Sequence, residues 1–221
     1  GGMKKPKICA VVVDKDLTAV RDIEEFVDLF EVRIDLIGDG WQKVANQLNR
    51  PWIACNRNRT EGGRWQGSET KRIQELLKAS ELGADIVDIE LRTKGLTEIA
   101  PLIKKRSKCL LSYHNLKEAP SFEEMKEIVQ RQLAAGANIC KVVTTAQRFE
   151  DNISVLQLIS AFPNTEIVSF AMGDLGMISR ILSPIIGGNF TYASIKKGKE
   201  SASGQITVRE LRRLYELIAI C

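Results

Sequence analysis

The pattern of a strand–helix–strand unit occupies residues 108–143, KCLLSYHNLKEAPSFEEMKEIVQRQLAAGANICKVV. The stretch opens and closes with short apolar runs, and an amphipathic segment lies between them. Ser121 and Glu124 form a capping-box pair at the start of this segment, and Gly136 follows its end. The stretch therefore predicts two parallel strands joined by a helix.

The same alternation covers the whole chain of 221 residues. The predicted strands are 8–13, 29–34, 51–55, 86–91, 108–113, 139–143, 167–170 and 190–193; the predicted helices are 18–28 with Thr18 as a possible cap, 41–49, 68–82, 96–106, 121–135, 148–161, 174–185 and 207–219. Eight strands, each followed by a helix, predict an α/β protein with the (β/α)₈ TIM-barrel fold. The alternative is a doubly wound open sheet, which usually has fewer strands, and no GxGxxG motif follows the first strand.

Composition excludes several classes of protein. Hydrophobic residues make up 44% and charged residues 27%, which excludes intrinsic disorder and collagen-like chains. The net charge of +4 is too small to predict a nucleic-acid-binding surface. No apolar run approaches the roughly 20 residues of a membrane span, and the start lacks the apolar core of a signal peptide. We therefore expect a cytoplasmic protein with one domain over residues 3–221, since Gly1-Gly2 is typical of an expression scar.

The cysteines and the single histidine limit which disulfides and metal sites are possible. The five cysteines are Cys9, Cys55, Cys109, Cys140 and Cys221, and four of them lie within apolar runs. Their odd number and wide spacing indicate buried, reduced thiols rather than disulfides. With one histidine and no CxxC pair, few residues are available as zinc ligands, and no metal is expected.

Polar side chains near strand ends are the candidates for function, because active sites of this fold lie at the C-terminal face of the barrel. Strand two ends Glu31-Val32-Arg33-Ile34-Asp35, and its alternation directs Glu31, Arg33 and Asp35 into the barrel mouth. The alternative is a Glu31–Arg33 ion pair without further function.

Strands three and four continue the same pattern. Strand three runs into a loop that contains Arg57 and Glu61 and ends in a Gly-Gly pair, for which a solvated loop is the alternative interpretation. Strand four carries Asp88 and Glu90 two residues apart, so both are expected to face inward.

Strands five and six carry the most informative residues. Lys141 lies in the middle of an apolar strand, and an isolated buried ammonium tends to lose its proton, which leaves an amine able to form a Schiff base. The alternative is an ion pair between Lys141 and an inward carboxylate such as Glu90. His114, the only histidine, ends the neighbouring strand, where it could act as a proton shuttle or have a purely structural role.

The last two units suggest a ligand-closing segment. The stretch 194–205 is long, polar and rich in Lys, Gly and Ser, which suits a mobile lid. Arg180 lies in the helix before it, while Gly173 and Gly176 give only weak support for a phosphate cradle.

Taken in order, these motifs resemble the type I 3-dehydroquinate dehydratases, the Schiff-base enzymes of the shikimate pathway. The motifs are Glu31-Val32-Arg33-Ile34-Asp35, Arg57 with Glu61-Gly62-Gly63, Ser112-Tyr113-His114, Lys141 within its strand, Met172-Gly173 through Ser179-Arg180, and Ser201-Ala202-Ser203-Gly204-Gln205. Each is short, but together they are specific and cover nearly the whole chain.

The resemblance implies a role for each candidate. Lys141 would form an imine with the substrate ketone at C3, and His114 would move the C2 proton to the leaving C1 hydroxyl and assist imine formation and hydrolysis. Glu61 would orient His114. The substrate-binding residues implied are Arg180, Ser201 and Gln205 for the carboxylate and Glu31, Arg33 and Arg57 for the ring hydroxyls. The resemblance further implies no cofactor, 3-dehydroquinate as the small-molecule substrate, and a homodimer.

Three positions depart from the family pattern. Ser203 replaces a common Pro, while Phe170 and Tyr192 stand where Met and Phe are frequent. Two other functions stay open at this point: a Schiff-base aldolase or transaldolase acting on a sugar phosphate, and a non-enzymatic barrel that binds a small acid. Arg180 with a Ser/Gln lid suits a carboxylate better than a phosphate.

Overall fold

A computed structural model describes residues 5–202 and 205–218. Eight parallel strands form one sheet in the order β7-β6-β5-β4-β3-β2-β1-β8. They are β1 (Ile8–Val12), β2 (Leu29–Arg33), β3 (Trp52–Cys55), β4 (Ile86–Glu90), β5 (Lys108–His114), β6 (Ile139–Thr145), β7 (Glu166–Met172) and β8 (Thr191–Ser194). The predicted (β/α)₈ fold is confirmed. The proposed scar at residues 1–2 and Cys221 lie outside the described residues.

Helices separate the strands along the chain. They are α1 (Leu17–Ile23), α2 (Ile34–Ile37), α3 (Trp41–Asn46), α4 (Glu69–Glu81), α5 (Leu96–Lys104), α6 (Phe122–Ala134), α7 (Asp151–Ala161), α8 (Met177–Leu182) and α9 (Val208–Leu217). None of the helices in the described part of the chain combines the length and the apolar character needed to cross a membrane.

Helix caps agree with the sequence in part. One half of the predicted Ser121–Glu124 capping box is present, since the Ser121 side chain accepts from the Glu124 N–H. Thr18 as the cap of α1 is wrong: Asp16 caps this helix by accepting from the Ala19 N–H at 3.1 Å. A full capping box that is not among the predicted caps joins Thr207 and Glu210 at the start of α9.

Strand alternation divides the side chains between two apolar regions. Inward residues such as Val11, Ile53 and Val168 fill the barrel, while outward residues such as Ala10 and Val32 pack against the helices. Charged side chains at the inward positions of β2, β4 and β6 are therefore buried inside the barrel.

The ring of strands is nearly closed. β8 pairs with β1 through a parallel register that aligns Cys9 with Tyr192. On the other side, the Asn189 N–H before β8 donates to the Ile167 carbonyl of β7 at 2.8 Å. This closure brings inward side chains of strands two apart in the ring toward one another.

Candidate active site

A cavity of about 270 Å³ opens among the C-terminal ends of the strands. All nine predicted site residues line it: Glu31, Arg33, Arg57, Glu61, His114, Lys141, Arg180, Ser201 and Gln205. The predicted groups are thus brought to one place, with Phe170 and Tyr192 completing part of the wall.

Lys141 lies at the floor of this cavity and is 4% exposed. Its Nζ donates to Asp88 Oδ2 at 3.1 Å and is hydrogen-bonded to the Tyr192 hydroxyl at 3.0 Å. Glu31 Oε2 lies 3.9 Å from Nζ. The ammonium is therefore not isolated, and the suggested partner Glu90 is wrong: Asp88 takes that place.

Asp88 is held by a buried network that joins β3, β4 and β5. The Arg57 guanidinium donates to both Asp88 oxygens at 2.9 and 2.7 Å, and Ser112 Oγ donates at 2.7 Å. Burial alone would raise the pKa of Asp88, but Arg57 and Lys141 outweigh it and hold this pKa well below its usual range. Glu90 bonds instead to Arg57 and to Arg72, each at 2.7 Å.

Local backbone geometry places Glu61 at the cavity rim. Asn58 caps a short 3₁₀ helix by accepting from the Glu61 N–H at 2.9 Å, and Gly62 follows with a φ of 92°. At Gly63 a Cβ atom would lie 2.0 Å from the Arg57 carbonyl oxygen, so only glycine fits there. The Gly-Gly pair is therefore needed to turn the chain tightly after Glu61.

Glu61 fixes the orientation of His114. Its Oε1 accepts from the His114 backbone N–H at 2.9 Å and lies 3.3 Å from the imidazole Nδ1. Because a carboxylate oxygen accepts, Nδ1 carries the proton in this contact and Nε2 keeps a free lone pair. Burial, with help from the cations Arg57 and Lys141, lowers the pKa of His114 well below its usual value of 6.5. The imidazole is thus neutral at physiological pH and can accept a proton.

Arg180 places an uncompensated positive charge on the cavity wall. It is 1% exposed, and its Nε and Nη2 have no hydrogen-bond partner among the described residues. The guanidinium lies over the Phe170 ring, 4.4 Å from the centroid. Burial lowers the pKa of Arg180 to about 10, so the side chain remains charged at neutral pH. Two unpaired donors on one guanidinium match a carboxylate.

The start of α8 holds Arg180 in position. Ser179 Oγ donates to the Gly176 carbonyl and accepts from the Ala171 N–H, each at 2.9 Å. A Cβ atom at Gly176 would lie 2.3 Å from the Ala171 carbonyl oxygen. These contacts fasten the helix directly to the end of β7.

The charged end of β2 differs in detail from the sequence analysis. Asp35 lies in α2 rather than in the strand, because β2 ends at Arg33. Arg33 forms a bidentate pair with Asp35 at 2.9 and 2.7 Å, not a pair with Glu31. Glu31 Oε2 is buried and has no hydrogen-bond partner among the residues described. It is therefore able to accept from a ligand.

The segment predicted as a lid contributes Ser201 and Gln205 to the lining of the cavity. Ser201 and Gln205 bond to each other, with the Ser201 N–H donating to Gln205 Oε1 at 3.0 Å. Lys199 forms ion pairs with Asp14 and with Asp16, and these carboxylates belong to the loop after β1. The family departure at Ser203 and the neighbouring glycine lie outside the described residues.

Comparison with known proteins decides the family. The sequence matches the family described as type I 3-dehydroquinase over residues 8–220. A 3-dehydroquinate dehydratase from Dehalococcoides mccartyi is 40% identical over 216 residues, which cover 98% of this chain and 97% of the relative. A 3-dehydroquinate dehydratase from Methanocaldococcus jannaschii is 34% identical, and the match covers 96% of this chain and 98% of the relative. The chain belongs to the type I 3-dehydroquinase family.

Solved structures agree with this fold. The type I 3-dehydroquinate dehydratase of Clostridium difficile superposes with a TM-score of 0.86 at 23% identity, covering 98% of this chain and 93% of that one. The 3-dehydroquinate dehydratase of Geobacillus kaustophilus gives a TM-score of 0.84 at 24% identity, covering 98% and 92%.

Two side chains that contact Lys141 Nζ are not among the predicted site residues of this type I 3-dehydroquinase. The sequence predicts only that Asp88 faces inward, and it marks Tyr192 only as a departure from the family pattern. The signal for Asp88 was a pair of acids two residues apart on an otherwise apolar strand. Nothing in the sequence indicated that the Tyr192 hydroxyl reaches Nζ.

One group of possible metal ligands lies within the described part of this family member. Glu31, Cys55 and Asp88 offer ligand atoms within 4.8 Å of one another, all buried. The Lys141 ammonium lies beside two of them, so a metal ion there would compete with the cation already present. Burial raises the pKa of the Cys55 thiol well above its usual value, which disfavours the thiolate that a metal needs.

Proposed function

We propose that this protein dehydrates 3-dehydroquinate to 3-dehydroshikimate through an imine on Lys141, as a hydro-lyase of the shikimate pathway. One observation carries the proposal: a lysine amine, an oriented neutral imidazole and an unpaired guanidinium all open on a single cavity. The family match supports the same reaction and gives no support to a sugar-phosphate aldolase.

The first stage forms the imine. Lys141 Nζ first releases a proton to solvent and attacks the C3 carbonyl as a free amine. The carbinolamine then takes up one proton as its hydroxyl leaves as water, which gives a protonated imine. This cation draws electrons from C2, so that a mild base can remove the C2 proton. Ion-pairing to Asp88, 3.1 Å from Nζ, stabilises positive charge at the nitrogen.

The second stage eliminates the C1 hydroxyl. His114 Nε2 takes the C2 proton, the electrons form the new C1–C2 double bond, and the C1–O bond breaks. The same imidazole returns the proton to the departing oxygen, so that water leaves. Glu61, 3.3 Å from Nδ1, stabilises the imidazolium formed between these events. Hydrolysis of the imine then releases the product and restores Lys141.

The substrate is held by the remaining groups. The unpaired donors of Arg180 bind the carboxylate, and Ser201 with Gln205 closes over it from the lid. Glu31 and the neighbouring guanidinium groups of Arg33 and Arg57 contact the ring hydroxyls. No organic cofactor or metal takes part in this scheme. We also propose that the protein works as a homodimer in the cytoplasm.

The test is covalent trapping. Borohydride with 3-dehydroquinate should reduce the imine and add the substrate mass to the peptide containing Lys141, while absorbance of the conjugated enone product rises in parallel assays. Lys141→Met should abolish both signals. Lys108→Met is the matched control, because Lys108 lies in the neighbouring strand β5, more than half exposed and paired with Glu166. An adduct on another lysine, or no adduct, contradicts the proposal.

A further inference from the structure

The hydroxyl of Tyr192 occupies a position that the proposed reaction leaves unassigned. It lies 3.0 Å from Lys141 Nζ, on the inward face of β8. The residue is 4% exposed, and its ring packs edge-on against Phe190 with centroids 5.4 Å apart. The side chain is thus held rigidly, with its one polar atom at the reacting nitrogen.

The other groups around Nζ are poorly suited to move a proton. Asp88 accepts from Arg57, Ser112 and Lys141, and its pKa is held well below the usual range, so its carboxylate is a weak base. Glu31 Oε2 lies 3.9 Å away, beyond hydrogen-bond distance. Tyr192 therefore supplies the one hydroxyl in hydrogen-bond contact with Nζ among the described residues.

The Tyr192 phenol also remains neutral. Burial raises its pKa well above 10, and the nearby Glu31 carboxylate raises it further. A phenolate at this point would face Glu31 and Asp88, so loss of the phenol proton without its replacement is unfavourable. A neutral phenol can instead accept one proton while it gives up another.

Resting on the proposed function, we propose that Tyr192 is a catalytic residue for imine formation, whose hydroxyl relays a proton between Nζ and the C3 oxygen. As the N–C bond forms, the π pair of the carbonyl moves to oxygen. The phenol gives its proton to that oxygen and takes the proton released by Nζ. The carbinolamine is then neutral, and so is the phenol. The reverse relay assists breakdown of the carbinolamine during hydrolysis.

This role requires the hydroxyl of Tyr192, because phenylalanine at this position would have no group to relay a proton. We therefore expect imine formation in this protein to depend on Tyr192 as well as on His114, which also takes the C2 proton.

The experiment measures imine formation directly in the full-length protein. The rate of borohydride trapping with saturating 3-dehydroquinate is followed as the borohydride concentration rises, until the rate reaches a plateau set by imine formation. Tyr192→Phe should lower this plateau by roughly tenfold or more, approaching the 10²–10⁴-fold range of general acid–base groups. Its half-saturating 3-dehydroquinate concentration should stay within about twofold of wild type, because the carboxylate site is intact.

Tyr215→Phe is the matched control. Tyr215 is 1% exposed and donates from its hydroxyl to the Ile181 carbonyl at 2.8 Å, in the packing between α9 and the barrel, and it does not line the cavity. It should trap at the wild-type plateau. Tyr192→Leu is a second variant, which also removes the hydroxyl and should show the same loss if Tyr192→Phe fails to fold.

The outcomes separate the two proposals. A plateau equal to wild type in either folded Tyr192 variant overturns the relay, while trapping in wild type still supports the imine. A larger half-saturating concentration with an unchanged plateau also overturns the relay, since it assigns the hydroxyl to binding. Absence of any Lys141 adduct in wild type overturns the proposed function itself, and the relay with it.

Discussion

Replacing Arg180 with Met should stabilise the ligand-free protein while it removes carboxylate binding. The guanidinium is almost fully buried, and two of its nitrogens lack hydrogen-bond partners within the described residues. Burying an unpaired charge costs free energy, whereas Met fills a similar volume without a charge. A residue kept for ligand binding therefore lowers the stability of the empty site.

The magnitude follows from the pKa of Arg180, which burial lowers to about 10. Each tenfold change in proton affinity is worth about 1.4 kcal/mol, so the lowered pKa corresponds to a cost of about 3 kcal/mol for burying the charged side chain. The folded state binds this proton less tightly than the unfolded state, so the cost is complete below pH 10 and declines as the pH rises above it. The lost cation–π contact with Phe170, about 0.5–2 kcal/mol, offsets part of the gain. At neutral pH we expect a net gain of roughly 1–3 kcal/mol.

Urea unfolding at neutral pH, with and without 3-dehydroquinate, measures this gain. Arg33→Met is the matched control: Arg33 is also buried, but its bidentate pair with Asp35 would be broken and that carboxylate left unpaired. The control should lose roughly 3–5 kcal/mol. If Arg180→Met is destabilised in the same way, or if substrate stabilises it as much as wild type, Arg180 is not an unpaired carboxylate site.

Four further predictions concern catalysis and the lid. His114→Ala should still trap an adduct on Lys141 but lose roughly 10²–10⁴-fold of the dehydration rate, and turnover near wild type would remove His114 from the mechanism. Because burial lowers the pKa of His114, the imidazole remains unprotonated in mildly acidic solution. We therefore expect kcat/KM to fall on the acid side with an apparent pKa below 6.5, and an apparent pKa at or above 6.5 would contradict this. Amide hydrogen exchange across residues 195–205 should slow when substrate binds, and equal exchange with and without saturating substrate would refute lid closure. Gln205→Ala should weaken substrate binding by about 1–3 kcal/mol. Prolonged EDTA treatment should leave activity intact, and recovery with added metal after a loss would contradict a metal-free reaction.

The fold was predictable because local signals and barrel geometry agree. Apolar runs of strand length alternate with capped amphipathic segments. Strands β5 and β6 begin at their predicted residues and end one and two residues later than predicted. The boundaries of short elements were less accurate: α2 was missed because four residues at the end of β2 carry no helical period of their own.

Alternation also predicted which side chains enter the barrel, but not which of them pair. The two-residue period of a strand predicts separately that Asp88 and Lys141 face into the barrel. Their contact, however, joins β4 to β6 across the intervening strand β5, so it depends on the curvature of the closed sheet. The same holds for Tyr192, which reaches Nζ from β8 past β7. The sequence therefore suggested Glu90 as readily as Asp88, since both face inward.

The unpaired charge at Arg180 is a property that only the assembled structure can reveal. Four arginines are buried at or near the site, and three of them, Arg33, Arg57 and Arg72, each contact a carboxylate at 2.7 Å or less. Arg33 and Arg72 each pair with an acid within three residues, Asp35 and Glu69. The partners of Arg57, in contrast, come from β4 and are not visible in its local sequence. Asp35, Asp88 and Glu90 are engaged in these pairs. Arg180 is left facing the cavity over an aromatic ring. Under the proposed function, the substrate carboxylate would complete this arrangement, so charge pairing elsewhere in the barrel would leave Arg180 as its binding site.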